Sequence, residues 1–226
     1  MDISHSLLAV VVEVIFMPKK MEDRVCRGIF DKISDNHGII SYTNAKGIAV
    51  MSSAEEKSNL IRYRIAGDRM LLTYEFTKNS LNYYNGLIGD FIDIFAKDTG
   101  INVFAAHNTV IRKNAKITDL PDSREYLLRK VLGFDDAKLT AFKRPLHLAG
   151  TRIFFPPIKE DKSSFDIKIE SSLEDPRNLF IENRGIFAYA VDYKKNRDEI
   201  ARSMEKTDKF IAENVMDFLS RFDKEA

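Results

Sequence analysis

The residues with the most chemical potential cluster between Arg112 and Arg152. Ten cations fall there (Arg112, Lys113, Lys116, Arg124, Arg129, Lys130, Lys138, Lys143, Arg144 and Arg152) against five acids, Asp119, Asp122, Glu125, Asp135 and Asp136. Cationic groups at that density suit an anion, either a phosphorylated ligand or a nucleic-acid backbone. Arg112 and Arg152 sit in strand-like stretches. With Lys113, Arg144 and His147 they form the candidate anion- or ligand-binding set. The competing expectation is a mixed, solvated surface. Aromatic residues do not interleave with these bases as a single-strand stacking platform requires.

Acids inside apolar runs are a second signal. Glu13 lies in VVVEVIF and Glu170 ends FDIKIE. A desolvated carboxylate has a raised pKa and suits general-base work. The alternative is a structural pair between Glu13 and Arg62 or Arg64 of a neighbouring strand. His107 and His147 fall in strand-like stretches of the second half and offer acid, base or metal-ligand chemistry if they converge. Cys26 has Arg24 and Arg27 nearby, and neighbouring cations lower a thiol pKa. A packed helix cysteine is the plainer expectation. The chain has no HExxH, no GxGxxG or GxxxxGK loop and no GxSxG elbow. No catalytic residue, metal or cofactor is therefore assigned.

The 226 residues are 44% hydrophobic and 31% charged, enough for a packed core. Lys plus Arg total 35 against 34 acids, so no chain-wide footprint for nucleic acid exists. A single cysteine excludes an internal disulfide and fits a reducing, cytoplasmic compartment. The opening MDISHSLLAVVVEVIF lacks a basic leader and carries Glu13, which argues against a signal peptide. No apolar run reaches the roughly 18 residues of a membrane span.

The elements that must position these residues follow from hydrophobic period. Leu7–Phe16 reads as a buried strand. Met21–Ile33 reads as a helix with Met21, Val25, Ile29 and Ile33 on one face. Residues 38–51 read as a hairpin turning at Asn44–Gly47. Residues 61–76 read as two strands bent at 66–68, and a helix seam follows with Leu81, Tyr84, Ile88, Phe91 and Phe95. Residues 102–117 read as a strand with an irregularity near His107 and Asn108. Pro121 and Asp122 open a helix over 123–132. Residues 146–155 read as a strand with a bulge at Gly150. Phe165, Ile167 and Ile169 point in while Asp166, Lys168 and Glu170 point out. Residues 179–193 read as a hairpin. A final helix from Asn196 has a capping box with Glu199 and a stripe of Ile200, Met204, Ile211, Val215, Phe218 and Phe222. Residues 52–59 and 157–164 read as mobile loops.

A strand pair followed by a long helix thus occurs twice. The expected fold is α+β, a mainly antiparallel sheet built from two pseudo-repeats (strand-helix-strands-helix) with the long helices on one face. The repeats span 1–100 and 101–226 and share one core. The stretches Ala9–Phe16, Leu71–Ile117 and Thr151–Phe222 resemble an uncharacterised family of bacterial α+β proteins of similar length. That family's pattern has a Val-rich first strand, a central strand–helix–strand and a long amphipathic C-terminal helix. The resemblance implies no activity and carries no functional residues. The leading expectation is a non-catalytic binding module acting through a protein partner or self-association on the bare face of the sheet. Anion or nucleic-acid binding by residues 112–152 is the alternative. An enzyme using Glu13, Glu170, His107 or His147 is the third.

Overall fold

The computed structural model describes residues 3–54, 59–117 and 122–222. Over these described residues the chain is α+β, with an antiparallel sheet of ten strands. The two longest, β1 (Ile3–Phe16) and β6 (Val103–Ile117), lie side by side at its centre. Outward from β1 come β5 (Arg69–Glu75), β4 (Leu60–Ile65), β3 (Ile48–Ser52) and β2 (Ser41–Ala45). Outward from β6 come β9 (Asn178–Phe187), β8 (Ser163–Ser171) and β7 (Gly150–Phe155). The short β10 (Val191–Asp192) also pairs with β6. The helices are α1 (Asp23–His37), α2 (Leu81–Thr99), α3 (Ser123–Glu125) and α4 (Asp136–Thr140), with a π-helical turn, Tyr126–Val131, after α3. The last helix runs as α5 (Glu199–Lys209), a π-helical turn (Phe210–Val215) and α6 (Met216–Arg221).

The period of two in β1 sorts its side chains onto two faces. Val10, Val12 and Val14 are buried. They sit opposite Tyr74, Leu72 and Met70 of β5, and opposite Ile111, Thr109 and His107 of β6. Residues directly opposite in a ladder share a face, so one register carries the buried set across the sheet. On that face Phe95 of α2 packs on Phe16, ring centroids 5.3 Å apart, and Phe91 packs on Tyr63 at 4.6 Å. His37, at the end of α1, places Nδ1 2.8 Å from the Tyr63 hydroxyl, which meets the Tyr74 hydroxyl at 3.0 Å. Each buried hydroxyl thereby keeps a partner.

Helix α5 crosses the same face over β6 and β9 through small and polar side chains. The Thr109 and Thr207 hydroxyls meet at 2.5 Å, and Asn183 Nδ2 donates to the Thr207 carbonyl at 2.8 Å. Gly185 of β9 makes this approach possible: a Cβ there would lie 2.2 Å from Thr207 Oγ1.

Several expectations from the sequence need correction. Residues 179–193 are not a hairpin. Both β9 and β10 run along β6, with His107 opposite Phe187 and Phe104 opposite Val191. The lane breaks over Ala188, Tyr189 and Ala190, which hold no turn-forming residue, and Tyr189 donates its hydroxyl to Glu199 at 2.8 Å. That bond also uses the carboxylate assigned to the capping box, and Asp198, not Asn196, occupies the N-cap of α5. Ser80 caps α2, accepting from the Tyr83 amide. The strand expected over 146–155 starts only at Gly150, where a Cβ would meet Glu170 Cγ at 2.6 Å; the glycine marks a close approach, not a bulge. The irregularity of β6 lies at Phe104–Ala106, next to Ile15 and Phe16, and not at His107. In the last helix Leu219 is fully buried and Phe218 only packs alongside, because the π turn shifts the helical phase. Residues 157–164 are not one loop: a turn closes between Ile158 and Asp161, and Ser163 already begins β8. The loop expected over 52–59 lies partly outside the described residues, as do Pro121 and Asp119.

Candidate functional site

The second face of the sheet carries the other half of each strand. On β1 it shows Val11, Glu13 and Ile15. On β6 it shows Ala106, Asn108, Val110 and Arg112, and on β9 Glu182, Arg184 and Ile186. On β8 it shows Asp166, Lys168 and Glu170, and on β7 Arg152 and Phe154. Opposite charges meet across the ladders. Arg112 Nε donates to Glu182 at 2.6 Å, with Glu75 on its other side at 3.8 Å. Arg152 grips Asp166 with two bonds of 2.8 and 2.5 Å. Glu13 takes Arg69 at 2.9 Å, the Asn108 amide at 2.8 Å and Arg184 at 3.7 Å. Lys168 pairs with Glu170 at 2.8 Å and lies over the Phe180 ring. The Arg152 guanidinium holds the Asp166 carboxyl below its usual range. These pairs are open to solvent, Arg152 most of all, so each contributes little to stability. Their effect is to fix which charges are already satisfied.

A concavity of about 490 Å³ opens on this face between β1, β6 and β8. Leu148, Leu173, Phe76 and Phe180 line it with Arg112 and Lys168. Phe76 and Leu173 are exposed large apolar side chains. Beside it, a depression of about 540 Å³ is lined by Arg152, Asp166, Glu182 and Arg184.

The five candidate residues are only partly assembled. Arg112 and Arg152 share the charged face, each committed to a carboxylate. Lys113 lies on the opposite face, 4% exposed, with its ammonium 2.6 Å from Asp208. Neighbours in a strand point to opposite faces, so Arg112 and Lys113 cannot serve one ligand. Arg144 and His147 are exposed in the segment that leads into β7.

The acid and base candidates do not converge. His107 is sealed on the buried face, stacked on Phe187 and 2.8 Å from the Ser203 hydroxyl; burial pushes its pKa down to about 4. Glu13 is in a structural network, with Arg69 and Arg184 in place of the expected Arg62 or Arg64. Glu170 lines the concavity beside its lysine. Cys26 is buried, and burial, with Asp23 adding to it, pushes its thiol up, away from reactivity. Among the described residues no group of three or more His, Cys, Asp or Glu is placed to hold a metal ion, and no helix is long and apolar enough to cross a membrane.

Asp166, Glu182 and Glu75 were missed as site residues. The alternation of FDIKIE showed that Asp166 points outward, but not that Arg152 reaches it diagonally from β7, where Phe154 is its direct partner. No family model matches this chain, and a search of curated proteins finds no significant relative.

Proposed function

We propose that this chain is a non-catalytic binding module whose charged sheet face docks a partner protein. It is built from two strand-helix-strands-helix units, 1–100 and 101–226, joined where β1 meets β6, with the long helices gathered on the buried face. The order of strands outward from β1 and from β6 supports the two units. A cytoplasmic location accords with the single, buried thiol.

One observation carries the docking reading. The cations at the centre of the face are already committed to neighbouring carboxylates, while Phe76 and Leu173 stay exposed around a 490 Å³ concavity. A face of that kind suits a surface with apolar anchors and its own mixed charges. The test is affinity capture with the full chain and with a Leu173→Asp/Phe180→Asp variant that folds normally. A protein retained by the first and lost from the second supports the reading. An unchanged set of retained proteins overturns it.

The second reading is an anion ligand, and it has in its favour that Arg112 and Arg152 share one face. It predicts retention of a phosphorylated or nucleic-acid ligand that weakens steeply with salt and with Arg112→Ala/Arg152→Ala.

A further inference from the structure

The sheet ends in two edge strands, and they differ. In β2 the edge is polar: Tyr42 and Asn44 bond to Asp23 of α1 at 2.5 and 2.8 Å. In β7 the sequence is Gly-Thr-Arg-Ile-Phe-Phe. It has no proline or lysine, two common devices that blunt an edge. Phe154 is 56% and Phe155 41% exposed, and the flanking Leu146 and Ile158 are exposed as well.

The phase of the hydrogen bonds decides what this edge offers. The Ser171 amide donates to the Ala149 carbonyl at 2.8 Å. The register that follows places Thr151 opposite Ile169, Ile153 opposite Ile167 and Phe155 opposite Phe165. In an antiparallel ladder every second pair is hydrogen-bonded, so these three residues turn their N–H and C=O toward β8. Gly150, Arg152 and Phe154 turn theirs outward, to the bare edge.

We infer that β7 pairs antiparallel with β7 of a second copy of this chain, about a twofold axis at Ile153. That register sets Arg152 opposite Phe154 of the second copy, and Phe154 opposite its Arg152. Both residues have outward N–H and C=O groups, so the two pairs form four backbone bonds. Both side chains lie on the charged face, so each guanidinium comes beside a phenyl ring, a favourable cation–π pair. The neighbouring registers are poorer: an axis at Phe154 sets Arg152 opposite Pro156, which has no N–H to donate. An axis at Arg152 opposes two guanidinium groups, and an axis between Arg152 and Ile153 sets outward backbone groups against inward ones. Pro156, opposite Gly150 of the second copy, has no N–H and ends the ladder. The interface is self-complementary, as a twofold contact between identical chains requires. It uses the edge of the sheet, so it stands independently of the docking reading of the charged face.

The experiment is sedimentation of the full chain over a hundredfold range of concentration, with three variants. The wild type sediments as a dimer. Phe154→Pro removes one outward N–H, a group the monomer does not use, and sediments as a monomer with an unchanged circular dichroism spectrum. Phe154→Lys, which keeps the amide but charges the edge, weakens the dimer at least tenfold. Ile153→Cys in a Cys26→Ser background forms an intermolecular disulfide on mild oxidation, because the axis brings the two Cα atoms to about 4.5 Å. A wild type that stays monomeric overturns the inference, as does a Phe154→Pro protein that stays dimeric. So does a cross-link obtained with Arg152→Cys and not with Ile153→Cys, since it marks another register.

Discussion

Replacing Gly185 by alanine tests how α5 is seated. A Cβ at this position would lie 2.2 Å from Thr207 Oγ1, 2.9 Å from Phe187 Cε2 and 3.1 Å from Thr109 Oγ1. A contact of 2.2 Å cannot persist, so the Thr207 hydroxyl must swing away or α5 must lift. Swinging away breaks the Thr109–Thr207 bond of 2.5 Å and the Thr207 bond to the Ser203 carbonyl of 2.7 Å. Two such bonds contribute about 1 kcal/mol each, and overpacking a dense interior adds about 1–3 kcal/mol. The expected destabilisation is about 3–5 kcal/mol. For a chain of this size that lowers the melting temperature by about 10 °C. Urea unfolding followed by circular dichroism measures it. The Thr207→Ala change removes the blocking hydroxyl, so Gly185→Ala/Thr207→Ala costs less than the sum of the two single changes. A Gly185→Ala loss below about 0.5 kcal/mol, or strict additivity in the double variant, would falsify the close approach of α5 to β9.

Three further outcomes follow from the buried and charged groups. His107 titrates near 4 in the folded chain against 6.5 when unfolded, so its contribution is complete above about pH 6.5 and is lost as pH falls toward 4. The loss is about 3 kcal/mol; His37 is shifted in the same direction, so the check is a shallower pH dependence of stability in His107→Gln than in the wild type. Lys113→Met strands Asp208 beside a buried position and lowers stability by about 2–3 kcal/mol, whereas Lys113→Met/Asp208→Leu recovers most of it; equal losses in the two variants argue against the ion pair. Glu13→Ala frees Arg69, Asn108 and Arg184 and costs about 1 kcal/mol at low salt, less at high salt, because the site is half-exposed; a loss unaffected by salt rules out an electrostatic role.

Local pattern was enough to settle much of the architecture. The Val-rich run of β1, the 61–76 pair, the seam of α2 and the alternation of Phe165, Ile167 and Ile169 each depend on short-range period. Period alone reports which side chains share a face, and it does so wherever one face is buried. It also marked Asp166, Lys168 and Glu170 as outward. The tertiary structure alone decided the partners. Whether 179–193 folds back on itself or runs on along β6 depends on a strand some 75 residues earlier. Arg112 and Lys113 look like one basic patch in the sequence, yet the pleat sends one to Glu182 and the other to Asp208. His107 looks like a reactive group until α5 is laid over it. Burial and charge pairing are long-range quantities, fixed by which strands become neighbours, and so it was the sheet order that decided which carboxylates Arg112, Lys113 and Arg152 meet.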